Sequence, residues 1–228
     1  MEDTGKHLLI ADDDRILRKR VVHALAKKND RFVIHEAEDG QQAIGLLKSA
    51  PIELVITDIN MPKVSGLMVL AYLNAFLPDV PCFVMTAYGT SRLRAKMPAD
   101  LLRFYQKPVD ADDMASAVVV ALSRGHKQAG CGGMTLIHFL QLIEAEKLTA
   151  TVTVENPPGP PTRIFISDNM ILDAVAGTRR GEVVAMEAVS LENPTYCIDH
   201  SVPDTVFRRF TLSLSELIRT ATDCFDNR

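Results

Sequence analysis

The stretch from Leu54 to Gly66 reads Leu-Val-Ile-Thr-Asp-Ile-Asn-Met-Pro-Lys-Val-Ser-Gly. Its first four residues predict a buried strand, and a helical pattern follows over residues 65–76. Asp58 therefore stands where a strand ends, ahead of the turn that leads into a helix. In an open α/β sheet this is the edge at which ligands bind, so Asp58 is a candidate site residue.

Strands and helices alternate on both sides of this stretch. Further strands are predicted over residues 7–11, 32–36, 82–85 and 101–105, and further helices over residues 14–28, 40–49, 89–96 and 111–124. Parallel strands need crossover helices, so five such units predict a parallel sheet with helices on both faces. The expected fold class is α/β, a flavodoxin-like five-stranded parallel sheet with the strand order 2-1-3-4-5.

Polar residues stand at the carboxyl ends of the predicted strands. The first strand ends in Asp12-Asp13-Asp14, the third in Asp58, the fourth in Thr86 and the fifth in Lys107-Pro108. Because strands 1 and 3 are neighbours in this order, we expect Asp12, Asp13 and Asp58 to lie close together. At about 4 Å and an effective dielectric constant of ~20, each like-charge pair costs about 4 kcal/mol. The cluster must therefore hold a proton or a cation, and oxygen ligands of this kind suit Mg²⁺.

Each of these residues also has an ordinary structural interpretation. An Asp after a strand often caps the following helix, which is what we expect of Asp14. Taken alone, Asp12 and Asp13 favour neither a structural nor a functional role, and a Lys-Pro pair after a strand usually has no special role. The appearance of all four strand-end features in order favours a functional site.

Residues 6–124 resemble the receiver domains of bacterial two-component response regulators. The resemblance rests on Leu-Leu-Ile-Ala-Asp-Asp-Asp-Arg (8–15), the stretch 54–66, Val-Met-Thr-Ala-Tyr (84–88) and Gln-Lys-Pro-Val (106–109). It implies that Asp58 accepts a phosphoryl group from a phosphohistidine donor on a sensor histidine kinase or a phosphotransfer protein. It further implies that Mg²⁺ is held by Asp12, Asp13, Asp58 and the carbonyl group of Asn60.

The resemblance also assigns the residues around the phosphoryl group. Lys107 and Thr86 would contact the phosphate oxygens, and the Lys107-Pro108 bond would be cis. Thr86 and Phe104 would be the switch residues, although Phe104 cannot make the hydroxyl bond of a tyrosine. Residues 96–100 replace the Gly-Ala that usually precedes the fifth strand, which predicts a short preceding helix and leaves open whether the chain forms a homodimer.

The pattern changes after residue 124. Residues 125–133 are rich in glycine and predict a linker, so the expected domains are a receiver over 1–124 and a smaller α+β domain over 134–228. In the latter, helices are predicted over 136–143 and 179–190, strands over 149–154, 163–166, 171–175 and 195–198, and a last helix opening with the capping box of Ser213 and Glu216. Asp168 and Asn169 predict a tight turn.

Residues 134–200 resemble the PATAN family, which often follows receiver domains and is regarded as an interaction module. The resemblance implies that this domain engages a protein effector, which the sequence does not identify. Four polar residues of the domain, Asp168, Asp173, His138 and His200, are interpreted as turn or surface residues rather than metal ligands or catalytic groups.

Charge is divided unevenly along the chain. Residues 1–125 hold 16 Lys/Arg and 16 Asp/Glu, whereas residues 126–228 hold 9 and 13, so the second half carries the whole net charge of −4. A transcription factor that binds DNA through the second half is the alternative to a protein-interaction output. The acidic balance and the strands in place of a helix-turn-helix argue against it.

Other function classes receive less support. The second half has no Gly-rich phosphate loop and no His-Asp metal pair, so we expect no enzyme beyond the receiver's own autophosphorylation and autodephosphorylation. No apolar run approaches the ~20 residues of a membrane span, and the N-terminus lacks a signal-peptide layout. The four cysteines have no metal or redox spacing, which predicts a cytoplasmic protein.

Overall fold

The structure is a computed structural model that describes residues 5–87, 103–123, 134–155, 158–191 and 194–226, with side chains as far as residue 223. The chain divides into two compact units, residues 1–133 and residues 134–228. The predicted helix over residues 89–96 and the predicted linker over residues 125–133 lie outside the described residues.

The first unit alternates strands and helices. Its elements are β1 (His7–Ala11), α1 (Arg15–Lys28), β2 (Val33–Ala37), α2 (Gly40–Ser49), β3 (Leu54–Asp58), α3 (Gly66–Phe76), β4 (Cys82–Thr86), β5 (Arg103–Gln106) and α4 (Ala111–Ser123). All strand pairs are parallel and the sheet order is β2-β1-β3-β4-β5. The predicted flavodoxin-like fold class is confirmed.

The central strands of this sheet are buried on both faces. All five residues of β3 and of β4 are buried, which explains why these strands read as continuous apolar runs rather than alternating ones. Helix α1 packs against α4, and α2 against α3. Burial of both faces leaves the strand ends as the part of the sheet where polar side chains can meet solvent.

The helices that follow β1, β2 and β3 begin at polar caps. Asp14 accepts hydrogen bonds from the backbone N–H groups of Ile16 and Leu17, so its predicted role as the cap of α1 is confirmed. Asp39 caps α2 and Ser65 caps α3 in the same way. Each cap satisfies backbone donors at the first turn and fixes where the preceding loop ends.

The second unit contains an antiparallel sheet and three helices. Its elements are α5 (Leu136–Glu146), β6 (Ala150–Val154), β7 (Thr162–Ser167), β8 (Met170–Ala176), β9 (Arg179–Arg180), α6 (Glu182–Val189), β10 (Tyr196–Asp199) and α7 (Leu214–Asp226). The sheet order is β10-β6-β7-β8-β9. The expectation of a second, smaller α+β region is confirmed.

Two local predictions in this unit have different outcomes. Asp168 and Asn169 both have positive φ, as a tight two-residue turn between β7 and β8 requires. The predicted helix over residues 179–190 begins too early. Gly177, at φ +60°, turns the chain back so that Arg179 and Arg180 pair with β8, and the helix starts only after Gly181, at φ +103°.

The helices of the described residues were compared with the requirements for a membrane span. None of them combines the length and the apolar composition that crossing a bilayer demands.

Candidate functional site

The parallel sheet brings the predicted site residues to one edge. Asp12 directly follows β1, Asp58 ends β3, Thr86 ends β4 and Lys107 directly follows β5. The strand register aligns these ends, because Ala11 pairs with Thr57, Asp58 with Met85 and Thr86 with Gln106. Consecutive strands in a parallel sheet lie about 4.8 Å apart, so side chains at aligned ends come within contact distance.

Lys107 lies between two buried carboxylates. Its Nζ atom is 2.8 Å from Oδ2 of Asp58 and 3.0 Å from Oδ2 of Asp12. Asp12 is fully buried and Asp58 is 4% exposed, whereas Asp13 is exposed. One carboxylate oxygen from each of Asp12, Asp13 and Asp58 lies within 4.8 Å of the others. Lys107 therefore pairs with two of the three clustered carboxylates.

The pKa values of these groups reflect burial first and charge second. Burial raises the pKa of Asp58 to about 6, against the opposing effect of Lys107 and with a further contribution from the neighbouring Asp12 charge. Burial likewise raises the pKa of Asp12, again opposed by Lys107. Burial alone would lower the pKa of Lys107, but its contacts with Asp58 and Asp12 outweigh this and raise it. Lys107 therefore does not offset the cost of burying the Asp58 and Asp12 carboxylates.

The carboxylate cluster fits a divalent cation. Oδ1 of Asp12 accepts the backbone N–H of Asp14 at 2.7 Å, whereas the buried Oδ2 has no hydrogen bond among the described residues. Lys107 Nζ lies 3.0 Å from this oxygen as its ion-pair partner. An unsatisfied buried oxygen beside two other carboxylates is an incomplete set of hard oxygen ligands, of the kind that Mg²⁺ binds together with water.

The loop after Asp58 is held against the strand end by a glycine. The N–H of Gly66 donates to the carbonyl of Ile59 at 3.0 Å. A Cβ atom at residue 66 would stand 1.8 Å from the carbonyl oxygen of Asp58, which no side chain can occupy. Gly66 therefore allows α3 to begin directly behind the Asp58 main chain.

A second attachment of this loop was not found by sequence reasoning. Lys63, at φ +62°, reaches back so that its Nζ lies 2.7 Å from Oδ2 of Asp39, which is 2% exposed. The N–H of Gly40 donates to the carbonyl of Val64 at 2.7 Å. The loop is thus tied to the start of α2 as well as to α3. The local signal for this position is the Asp39-Gly40 pair, which is typical of a turn.

Arg18 is a second residue that the sequence interpretation missed. It lies on α1 at 9% exposure, where its Nη1 donates to the carbonyl of Asp12 at 2.5 Å and its Nε to Glu36 at 3.1 Å. The arginine therefore fixes the backbone that carries the acidic pair. Its position one helical turn after Asp14 was the available signal, because a side chain there points back toward the N-terminus of the helix.

The remaining predicted residues surround Asp58. Thr86 is buried, and its carbonyl accepts the N–H of Lys107 at 2.8 Å. Asn60 is exposed, and its backbone N–H donates to the Asp58 carboxylate. Phe104 is 2% exposed and pairs with Val84, so it already points into the protein. The Lys107-Pro108 bond is cis, as the resemblance implied.

The first unit was compared with known protein families. The family model for the response regulator receiver domain matches residues 8–119. The N-terminal unit is a response regulator receiver domain. The predicted receiver resemblance is therefore confirmed, whereas the PATAN resemblance of residues 134–200 stays a prediction.

Curated relatives extend beyond the receiver in different ways. The chain is 29% identical over 125 residues to the transcriptional regulatory protein GlrR of Escherichia coli, covering 54% of this chain and 28% of GlrR. It is 32% identical to the transcriptional regulatory protein DegU of Brevibacillus brevis, covering 52% of this chain and 50% of DegU. A protein-glutamate methylesterase/protein-glutamine glutaminase of Chromobacterium violaceum is 23% identical, covering 93% of this chain and 61% of that protein. The chain therefore spans between 28% and 61% of the length of these relatives.

Proposed function

We propose that the chain is a response regulator of a two-component phosphorelay and that Asp58 is its phosphoryl acceptor. The donor would be a phosphohistidine of a sensor histidine kinase or of a phosphotransfer protein. The observation that carries this proposal is the position of the nearly buried Asp58 carboxylate, 2.8 Å from the Lys107 ammonium and beside the carboxylates of Asp12 and Asp13.

The transfer is a substitution at phosphorus. An oxygen of the Asp58 carboxylate attacks the phosphoryl group, forming a P–O bond, while the P–N bond of the phosphohistidine breaks and its electron pair leaves with the imidazole. The product is an acyl phosphate on Asp58. Asp12, Asp13, Asp58 and the carbonyl of Asn60 would hold Mg²⁺, which when bound would neutralise negative charge on the carboxylates and the phosphoryl oxygens.

Lys107 has two tasks in this proposal. Before transfer it balances part of the charge on Asp58 and Asp12, to which it is 2.8 Å and 3.0 Å distant. Once a divalent cation neutralises those carboxylates, the ammonium group is available to donate to a phosphoryl oxygen instead. Thr86, at the end of the neighbouring strand, would donate its hydroxyl to another phosphoryl oxygen.

Intact mass spectrometry with acetyl phosphate and Mg²⁺ tests the acceptor. We expect the parent chain to gain the mass of one phosphoryl group and the Asp58→Asn variant to gain none, because Asn has no nucleophilic carboxylate oxygen. Asp39→Asn is the control, since Asp39 is also a buried carboxylate with a lysine partner but lies at the start of α2. Equal labelling of the parent and Asp58→Asn would reject the assignment.

We propose that Thr86 and Phe104 carry the signal away from Asp58. A hydroxyl bond from Thr86 to the phosphoryl group would pull the end of β4 toward the site. Because Phe104 is already buried beside Val84, this shift would repack Phe104 rather than bring it in from solvent. Thr86→Ala should therefore still accept phosphate but lose any phosphorylation-linked change in small-angle scattering. A Thr86→Ala chain that changes as the parent does would contradict this route.

The output we propose is protein–protein interaction by a PATAN-like second domain. The described part of residues 134–228 forms an antiparallel sheet with helices and shows no helix-turn-helix, the arrangement that many transcription factors place in the major groove. The net negative charge of this half is a further argument against a DNA backbone as the ligand. We propose no enzymatic output.

A further inference from the structure

Positive charge in the second unit is carried almost entirely by arginine. Residues 134–228 contain one Lys and seven Arg against 13 Asp/Glu, a balance of 8 − 13 = −5. Arginine presents a planar fork of N–H donors that pairs with a carboxylate through two hydrogen bonds, which lysine cannot do. The arrangement of these arginines therefore matters more than the net charge of the unit.

The strand register places several of them on one face of the sheet. Arg163 pairs with Val175, and Val175 pairs with Arg180, so these three residues form a row across β7, β8 and β9. The adjacent row, Ile164 and Ala174, is fully buried and faces the opposite side. Because side chains alternate along a strand, Asp173 lies on the same face as the Arg163 row.

Asp173 is the centre of this face, contrary to its interpretation as a turn or surface residue. It is 1% exposed, and its Oδ2 lies 3.0 Å from Nη2 of Arg180 and 3.2 Å from Nε of Arg209. The N–H of Arg209 also donates to the carbonyl of Leu172 at 2.9 Å. The sequence interpretation was wrong because the residues that bury Asp173 lie on other strands and on the segment before α7.

Both arginines contact Asp173 and still expose about half of their side chains. Their side chains remain 48% and 55% exposed. One carboxylate therefore orients two guanidinium groups and leaves a surplus positive charge at the surface. Arg163 adds another, since it is exposed and takes part in none of the ion pairs found among the described residues.

We propose that the arginine face, defined as Arg163, Arg180 and Arg209, is the docking surface for an acidic segment of a partner protein. The proposal rests on the proposed protein–protein output and names the chemistry of the partner. Fixed guanidinium groups suit carboxylate side chains, and Asp173 pre-organises two of them so that less side-chain entropy is lost on binding. Phe207, 72% exposed and two residues before Arg209, offers the apolar contact typical of protein interfaces.

A nucleic acid fits this surface less well. Duplex binding draws its affinity from many phosphate contacts, whereas this face offers three arginines on a unit with a balance of −5. Asp199, which lies at the other edge of the same face and accepts hydrogen bonds from Ser201, would also repel a continuous polyanion. A short segment with a few carboxylates avoids both problems.

Fluorescence anisotropy on the full chain tests the proposal with a short labelled peptide in which Glu and Leu alternate. We expect the peptide affinity to fall with added salt. We also expect it to be about fivefold lower in Arg163→Gln than in the parent, because one arginine–carboxylate pair is lost. Arg163 carries the test because, unlike Arg180 and Arg209, it does not neutralise Asp173. Arg179→Gln is the matched control, since Arg179 neighbours Arg180 but pairs with Glu187 instead. Its affinity should equal that of the parent.

Several results would overturn the proposal. They are the absence of peptide binding, equal affinity of Arg163→Gln and the parent, and equal binding of a Lys-Leu peptide. Retention of duplex DNA by the parent and its loss in Arg163→Gln would replace the acidic peptide with nucleic acid. The peptide assay uses unphosphorylated protein, so its failure leaves the Asp58 assignment standing, and a failure of Asp58 labelling leaves the peptide result standing.

Discussion

The two units bury carboxylates on their sheets with opposite charge imbalances. In the first unit, the buried Asp12 and Asp58 share the ammonium of Lys107, and the exposed Asp13 adds a third carboxylate to the cluster. In the second, the buried carboxylate of Asp173 lies beside two arginines. Carboxylates outnumber the paired cationic groups at the first site, and cationic groups outnumber the paired carboxylate at the second.

This difference indicates what each site can receive. A cluster in which carboxylates outnumber cationic groups is stabilised by binding a cation. A bound cation would also neutralise the negative charge of an incoming phosphoryl group. A carboxylate beneath two half-exposed arginines gains from an anion that completes their hydrogen bonds. The ratio of charges around the buried carboxylate, rather than its burial alone, separates the proposed metal site from the proposed docking surface.

The largest effect is expected from disrupting the loop of the first site. Gly66→Ala would drive its Cβ into the Asp58 carbonyl, 1.8 Å away, and should lower the free energy of unfolding of this unit by more than about 3 kcal/mol while impairing phosphoryl labelling. Gly45→Ala is the control, since an added Cβ meets nothing within 4 Å in α2. It should stabilise the helix by up to about 1 kcal/mol. Urea unfolding measures both, and an unchanged Gly66→Ala would contradict the packing argument.

A smaller effect on the free energy of unfolding is expected to have opposite signs in the two units. In the presence of a chelator, Asp12→Asn should stabilise the first unit by about 1 kcal/mol, because it removes repulsion between carboxylates. Asp173→Asn should destabilise the second unit by about 1–3 kcal/mol, because two arginines lose their shared partner. Hydrogen exchange read by mass spectrometry reports each unit separately. Stability changes of the same sign in both units would contradict the opposite charge balances of the two sites.

The fold and site of the first unit were largely predictable because its geometry follows the chain. In a parallel sheet every strand end lies at a known edge, so the strand order was enough to predict that Asp12, Asp13 and Asp58 lie close together. The places of Thr86 and Lys107 beside them followed from the receiver resemblance. What the sequence could not predict were contacts that depend on loop direction. The ion pair of Lys63 with Asp39 is an example, since it requires a positive φ at a lysine.

The second unit was less predictable because its important contacts cross strands. Asp173 has an ordinary strand context, and only the register of β7, β8 and β9 shows that arginines surround it. Because the predicted helix began at residue 179, Arg179 and Arg180 were not recognised as a strand of the sheet. A strand of two residues carries too little periodicity to be recognised, and the turn at Gly177 was the one local signal.

We propose that the first site holds more carboxylates than Lys107 pairs with and binds a divalent cation beside Asp58. Isothermal titration of Mg²⁺ into the full chain tests it most directly, with Asp13→Ala and Asp14→Ala as a matched pair. The carboxylate of Asp13 belongs to the cluster, whereas that of Asp14 caps α1. We predict one Mg²⁺ per chain, with affinity lost in Asp13→Ala and retained in Asp14→Ala. No binding by the parent, or equal losses in the two variants, would contradict the account.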